Sequence, residues 1–298
     1  MKQQAIYSAD PARGWLPWGA LVPFLAVVLV VLPDFPLSLL LTRWRLVDAH
    51  DTPIGLRGYY AFLLLSFALI ALAVWAWVHF VERRSLASIG LVPRKAKSLL
   101  TGLAVGVGTS SAIVAGIWIA GGARADGFAR AFSTPINLVH MTLLLACFTF
   151  QSSVEEIVFR GWLLSGMARK LNVPIAVVVT SVVFTFLHFG PRVHWLFLVN
   201  VFLFSVFACF WSLRSGNVWG VMGWHGAWNW LLGVGFETPV TGLDLKLPAL
   251  IVRMIPSGPA LLTGGAEGPE GSIFCTAVLV VGIACLAWSR VARPELRR

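Results

Sequence analysis

Charged residues are scarce in this sequence, and their scarcity excludes a soluble globular protein. They make up 12% of the 298 residues, against 58% hydrophobic residues, and the mean hydropathy is +0.81. Soluble domains average about a quarter charged residues. Composition alone therefore indicates a membrane protein.

Cysteine is rare too, and its placement excludes a zinc finger. There is no CxxC pair, and no histidines have the spacing that would complete such a site. The cysteines lie inside apolar stretches, so we predict that they are small buried apolar side chains: Cys147, Cys209, Cys275 and Cys285. An Ala-x-Ala cleavage pattern is also missing after the first apolar stretch, which we expect to be a retained helix and not a signal peptide.

The apolar residues fall into eight runs that contain no Asp, Glu, Lys or Arg. The runs cover residues 14–33, 58–81, 98–123, 131–154, 171–191, 193–213, 215–236 and 271–289. Each is close to the ~20 apolar residues that a helix needs to cross a bilayer. The sequence therefore predicts an all-α, polytopic integral membrane protein of about eight transmembrane helices.

The net charge of +10 reflects an uneven distribution of Lys and Arg between the two sides of the predicted bundle. With eight spans, the termini and the even-numbered loops carry fifteen of the 23 basic residues, and the other side carries eight. Basic residues accumulate on the cytoplasmic side of membrane proteins, so we predict that both termini are cytoplasmic. We interpret the basic excess as a signal for topology and for contact with membrane lipids, and we expect no nucleic-acid partner.

Two adjacent acids, Glu155 and Glu156, follow the fourth run at membrane depth, whereas we assign the other acids to loops or tails. A carboxylate in hydrocarbon is costly, so an acid inside a span indicates a functional site. Glu156 and Arg160 are spaced i,i+4 and can form an ion pair, while Glu155 points about 100° away around the helix. We predict a structural Glu156–Arg160 pair and a chemically active Glu155 that faces a cavity.

Two histidines and an asparagine are the polar outliers of later spans. His188 follows Phe184 at i+4, and Asn229 follows His225 at i+4, so that one helix face presents an imidazole and an amide. A glutamate can act as a general base for water, and His with Asn can donate hydrogen bonds to an oxyanion, which suits peptide hydrolysis. The same glutamate and histidines could instead hold a zinc ion with an open water position.

Helix rise predicts that these groups lie at unequal depths. Counted from the polar ends of their helices, Glu155 is about 20 Å and His188 about 24 Å into the membrane. His225 is only about 12 Å past Asn217 by the same rise. We therefore expect a sloping groove, or a seventh span that enters higher than the others.

The patterns Glu155-Glu156-x-x-x-Arg160, Phe184-x-x-x-His188 and His225-x-x-x-Asn229 occur in this order on consecutive spans. Together they resemble the three motifs of the CPBP intramembrane proteases, the family of CAAX prenyl endopeptidases and bacteriocin-processing Abi proteins. In motif detail the resemblance covers about residues 131–236. It implies an endopeptidase that acts on membrane-associated or lipidated peptide or protein substrates, and we expect to find it in a bacterial inner membrane.

The resemblance also implies roles for the site residues. Glu155 and His188 would activate water, and His225 and Asn229 would stabilise the oxyanion. The supporting pair would be Glu156 and Arg160.

The family has been described both as metalloproteases and as metal-free glutamate proteases. We favour a metal-free enzyme without a cofactor, because Asn229 is a better hydrogen-bond donor than zinc ligand. In the zinc alternative the ligands are Glu155, His188 and His225.

Two further functions are consistent with the same residues. One is a proton-coupled transporter in which the glutamates and histidines form a proton relay. The other is a non-catalytic immunity factor that binds a peptide on the same scaffold.

We expect four segments along the chain. Residues 1–130 would form three N-terminal transmembrane helices with a basic interfacial loop, and residues 131–236 a catalytic four-helix core. Residues 237–270 would be a Gly- and Pro-rich loop, either an ordered cap or a flexible lid. Residues 271–298 would be the last transmembrane helix and a basic tail.

Overall fold

The computed structural model describes residues 6–8, 10–190 and 193–291. Every apolar run contains a helix, which confirms the all-α, polytopic architecture. The helices are α1 (Leu21–Arg43), α2 (Gly55–Val81), α3 (Ala96–Ile119), α4 (Pro135–Lys170), α5 (Val173–Phe186), α6 (Trp195–Ser215), α7 (Trp219–Trp230, continued by the π-helical turn Leu231–Gly235), the short α8 (Ala260–Thr263) and α9 (Ile273–Val291).

Among the described residues, five helices are long and apolar enough to cross a membrane: α1, α2, α3, α4 and α6. The apolar helices α5 and α9 are shorter, and α7 is enclosed by the rest of the protein over residues 220–229. The count of eight spans therefore stays a prediction. The basic tail lies beyond residue 291, outside the described residues.

The first helix differs from its prediction. It begins at Leu21, seven residues into the run 14–33, and continues through Pro33 and Pro36 to Arg43. Prolines are tolerated in membrane helices, because neighbouring groups satisfy the backbone carbonyls that proline leaves unpaired. Asp34, which the sequence assigns to a loop, lies within this helix.

Helices α3 and α7 pack with their backbones in direct proximity, as the glycines on both helices predict. A Cβ atom at Gly102 would lie 2.0 Å from the carbonyl oxygen of Gly220, and one at Gly223 would lie 2.1 Å from that of Leu99. Only glycine fits at such positions, and small residues allow this approach between membrane helices. The contact fixes α7, which carries His225 and Asn229, at the centre of the bundle.

The basic interfacial loop between α2 and α3 is anchored to α4 by a buried ion pair. Arg84 Nη1 lies 3.0 Å from Glu82 Oε2, and Arg84 Nη2 donates to Ser165 Oγ at 2.8 Å. The indole N–H groups of Trp77 and Trp162 donate to Glu82 Oε1 at 3.0 and 2.9 Å. The loop contains one short 3₁₀ helix, Leu86–Ile89, and its buried Arg84 shows that it is not fully solvated.

A two-stranded antiparallel sheet, which the sequence did not predict, joins two connections on one side of the bundle. Strand β1 (Ala123–Phe128) pairs with β2 (Val252–Pro256) in the register Ala123 to Pro256, with an irregularity between Ala125 and Phe128. The Gly- and Pro-rich segment, called the cap below, contains the strand β2, the helix α8 and two 3₁₀ turns, Gly265–Glu267 and Pro269–Gly271.

Three of the four cysteines are buried as predicted: Cys147, Cys209 and Cys275. Cys285 is exposed on α9, which corrects its predicted burial. Since α9 is an apolar helix at the edge of the bundle, its outer face would contact lipid in a membrane.

Candidate active site

The two adjacent glutamates of α4 have different surroundings. Glu156 is fully buried and accepts a hydrogen bond from Arg160 Nη1 at 3.0 Å, which is the predicted ion pair. The guanidinium of Arg160 also lies 4.3 Å from the centre of the Phe184 ring, a cation–π distance. Glu155 keeps 18% of its side-chain surface exposed and faces a cavity.

His225 lies between both carboxylates. Its Nδ1 is 2.8 Å from Glu156 Oε1, and its Nε2 is 3.7 Å from Glu155 Oε2. The first distance is a hydrogen bond and the second is longer than one. Glu156 therefore has two buried partners, one on its own helix and one on α7, and it fixes the orientation of the His225 ring.

Of the two alternatives for His225, a sloping groove or a seventh span that enters higher, the contacts of α7 favour the second. The estimate took Asn217 as a surface residue, but Asn217 is 3% exposed. The basic loop covers this end of α7, because Val218 N–H donates to the carbonyl of Gly90 and Trp219 Nε1–H to that of Val92. The helix thus begins below the surface, and its histidine reaches the level of the glutamates.

His188 follows the last turn of α5 and makes a local hydrogen bond. Its Nδ1 lies 2.8 Å from the carbonyl oxygen of Phe184. A carbonyl can only accept, so Nδ1 carries the proton. In the neutral ring the lone pair is then on Nε2, which suits a group that receives a hydrogen bond from water.

Asn229 is held by two residues that the sequence reasoning missed. Its amide nitrogen lies 3.2 Å from Gln151 Oε1 and 3.4 Å from Ser152 Oγ. These residues precede Glu155 and Glu156 by one helical turn. The i,i+4 spacing that identified Glu156 and Arg160 could have identified them too.

The four candidate catalytic residues line one cavity of about 140 Å³: Glu155, His188, His225 and Asn229. A larger cavity of about 580 Å³ shares Glu155 and His188 and is lined mainly by apolar side chains of α1, α2 and α4. A third cavity of about 30 Å³ shares His188, His225 and Asn229. There is room for water beside Glu155, and the larger cavity adjoins this residue.

The zinc alternative requires Glu155, His188 and His225 to share one ion. Among residues 6–8, 10–190 and 193–291, no three His, Cys, Asp or Glu side chains are grouped so that they could hold a metal. Nδ1 of His225 is bonded to Glu156, a contact that metal-ligating histidines also make through the ring nitrogen that does not bind the ion. The choice between a metal-free enzyme and a zinc enzyme therefore stays a prediction, and no step below is derived through a metal.

No protein of curated function matches this chain. Residues 136–231, which include all six candidate site residues, match the family model described as type II CAAX prenyl endopeptidase Rce1-like. This match supports an intramembrane endopeptidase and confirms the resemblance to the CAAX proteases.

Proposed function

We propose that this protein is an intramembrane endopeptidase that hydrolyses membrane-associated or lipidated peptides with water activated by Glu155. The observation that carries the proposal is the cavity of about 140 Å³ in which Glu155, His188, His225 and Asn229 face one another. Glu155 is the one carboxylate of the α4 pair that is not committed to Arg160.

In the first step, a water molecule lies between Glu155 and Nε2 of His188. Glu155 accepts a proton from this water as its oxygen attacks the peptide carbonyl carbon. The carbonyl oxygen becomes an oxyanion on the side of α7. His225, when both ring nitrogens carry a proton, donates from Nδ1 to Glu156 and from Nε2 into the cavity.

In the second step, Glu155 returns the proton to the amide nitrogen as the C–N bond breaks. One water is consumed, and the products are a carboxylic acid and an amine. Asn229 would donate the second hydrogen bond to the oxyanion, which requires one of its N–H groups to leave Gln151 or Ser152. The Glu156–Arg160 pair supports the reaction by holding His225.

The apolar lining of the large cavity favours a substrate that arrives from the membrane. Its walls include Val30 and Phe35 of α1, Phe67 and Ile70 of α2, and Val158 of α4. A lipidated or transmembrane segment would bury its apolar surface here while the peptide bond reaches Glu155.

We also propose a bacterial inner-membrane location with both termini in the cytoplasm. Gly14 N–H donates to the carbonyl of Glu82, Arg169 donates to that of Ser8, and Val218 N–H to that of Gly90. The N-terminal segment, the basic loop, the end of α4 and the α6–α7 turn thus meet at one end of the bundle. These segments carry much of the basic excess that marks a cytoplasmic side.

The test is hydrolysis of a synthetic peptide library by the purified protein in detergent, compared with His188→Ala. Glu237→Gln is the control, since this loop carboxylate pairs with Arg253 on the cap. Cleavage by the parent and the control, but not by His188→Ala, supports the peptidase. Absence of cleavage by the parent, with peptide binding retained, would support the immunity factor instead.

A second measurement distinguishes the two catalytic types. Cleavage that continues after treatment with a zinc chelator supports glutamate-activated water. Activity that is lost with the chelator and restored by added zinc would overturn the metal-free mechanism.

A further inference from the structure

The cap places one tight turn at the active-site cavities. Val240 and Leu243 close it with two backbone hydrogen bonds of 3.0 and 2.8 Å. The two central residues have positive φ, 51° at Thr241 and 78° at Gly242, which is the pattern of a type I′ turn. Glycine adopts such angles readily, but a β-branched residue such as threonine is an outlier there.

Glu270 holds Thr241 in this unfavourable conformation. The backbone N–H of Thr241 donates to Glu270 Oε2 at 2.5 Å, and its hydroxyl donates to the same oxygen at 3.2 Å. The other oxygen, Oε1, accepts from Trp228 Nε1 at 3.0 Å. Trp228 precedes Asn229 on α7, so Glu270 connects the turn to the helix that carries the site.

Glu270 is itself firmly positioned. Asn200 Nδ2 donates to its carbonyl oxygen at 2.7 Å. The preceding Gly268 has a φ of +80°, and a Cβ atom there would lie 2.2 Å from the carbonyl oxygen of Pro239. Burial raises the pKa of the Glu270 carboxyl, while the hydrogen bonds from Trp228 and Thr241 lower it.

Thr241 lines all three cavities of the site. It shares the two larger ones with Glu155 and all three with His188. The turn therefore lies where the cavity of about 580 Å³ meets the candidate catalytic residues. Strained residues cluster at functional sites, where the surrounding structure keeps them in place.

We propose that Thr241 is a specificity-determining residue that contacts the substrate next to the hydrolysed bond, and that Glu270 is the positioning residue that holds it there. This inference rests on the proposed peptidase function. Asparagine followed by glycine is the favoured pair for a type I′ turn, so the turn itself does not require a threonine at position 241. The inference gives this threonine side chain a role in substrate contact.

Thr241→Asn separates the effect of residue 241 on the stability of the turn from its effect on substrate binding. Asparagine tolerates positive φ better than threonine, so the variant should melt at a higher temperature. Its changed side chain at the cavity wall should raise the KM for peptide cleavage at least about tenfold with kcat unchanged. A higher melting temperature rules out unfolding as the cause.

Glu270→Gln tests the positioning role. An amide presents one acceptor and one donor, so it cannot accept from both Trp228 and Thr241 as the carboxylate does. The turn should lose one of its hydrogen bonds to residue 270 and KM should rise, while Glu270→Asp should have a KM closer to that of the parent.

Lys246→Asn is the control for Thr241→Asn. Lys246 has a φ of 52° in the same segment and is not among the described residues that line the three cavities.

The experiment measures kcat, KM and melting temperature in one detergent for the parent and these variants. The probe is a quenched-fluorescence peptide selected from a synthetic library by cleavage with the parent protein. A raised KM in Thr241→Asn and Glu270→Gln, with parent values in Lys246→Asn, supports the inference. The inference is overturned if Thr241→Asn keeps the KM of the parent, or if KM rises equally in Lys246→Asn. Neither result contradicts the proposed peptidase function. A parent that cleaves no peptide overturns both.

Discussion

His225 Nδ1 and Glu156 Oε1 lie 2.8 Å apart and join α7 to the buried ion pair of α4. The Glu156–Arg160 pair therefore does more than neutralise two buried charges, because Glu156 also binds the His225 ring. It holds the imidazole with Nε2 toward Glu155, at 3.7 Å from its carboxylate. One buried carboxylate thus orients a histidine, and we propose that its neighbour, Glu155, acts on water.

Arg160→Ala should destabilise the protein strongly. The change leaves Glu156 buried with His225 as its remaining partner, and breaking a buried ion pair costs about 3–5 kcal/mol. Unfolding followed in detergent measures the loss. Arg253→Ala is the control, because Arg253 is 41% exposed and pairs at the surface with Asp126 and Glu237. Ion pairs at a surface contribute about 0–1 kcal/mol each. If Arg160→Ala were as stable as the parent and only inactive, Arg160 would be assigned to substrate binding.

Gly102→Ala should lower both stability and cleavage. A methyl group there would meet the carbonyl of Gly220 at 2.0 Å, so α7 must move together with His225 and Asn229. Such overpacking costs about 1–3 kcal/mol. On the same helix, Gly108→Ala meets no atom within 4 Å and should be neutral or stabilising by about 0.5–1 kcal/mol. Equal melting temperatures for the two variants would contradict the close α3–α7 contact.

Single cysteines at positions 155, 188 and 225 should react slowly with a membrane-impermeant thiol reagent. The background lacks the four native cysteines, and Lys95→Cys on the exposed basic loop is the reference. The expectation follows from 18% exposure of the Glu155 side chain and 6% of that of His225. Labelling as fast as at position 95 would refute a centre within the membrane, and the reactive side would identify the leaflet to which the cavity opens.

The spacing of residues along α4 was enough to predict the features of the site that depend on this helix alone. The Glu156–Arg160 pair and the separate direction of Glu155 follow from 3.6 residues per turn. The glycines of α3 and α7 are a signal of the same local kind, since residues without a side chain leave the backbone open to a neighbouring helix. The roles of Glu155, His188, His225 and Asn229 in catalysis stay predictions.

Features that depend on distant segments could not be predicted in this way. The depth of His225 depends on the loop around Gly90 that covers Asn217. The hydrogen bond from Thr241 to Glu270 joins residues 29 positions apart. Short strands such as β1 and β2 carry no pattern that distinguishes them from loops before they pair.

The most direct test of the account is the rate of peptide cleavage by purified Glu155→Gln protein relative to the parent. The amide keeps the shape of the side chain but cannot take a proton from water, so the rate should fall by about 10²–10⁴. The melting temperature should stay that of the parent, because Glu155 is not part of the Arg160 ion pair. Cleavage at the parent rate by the folded variant would contradict Glu155 as the base and, with it, the proposed mechanism.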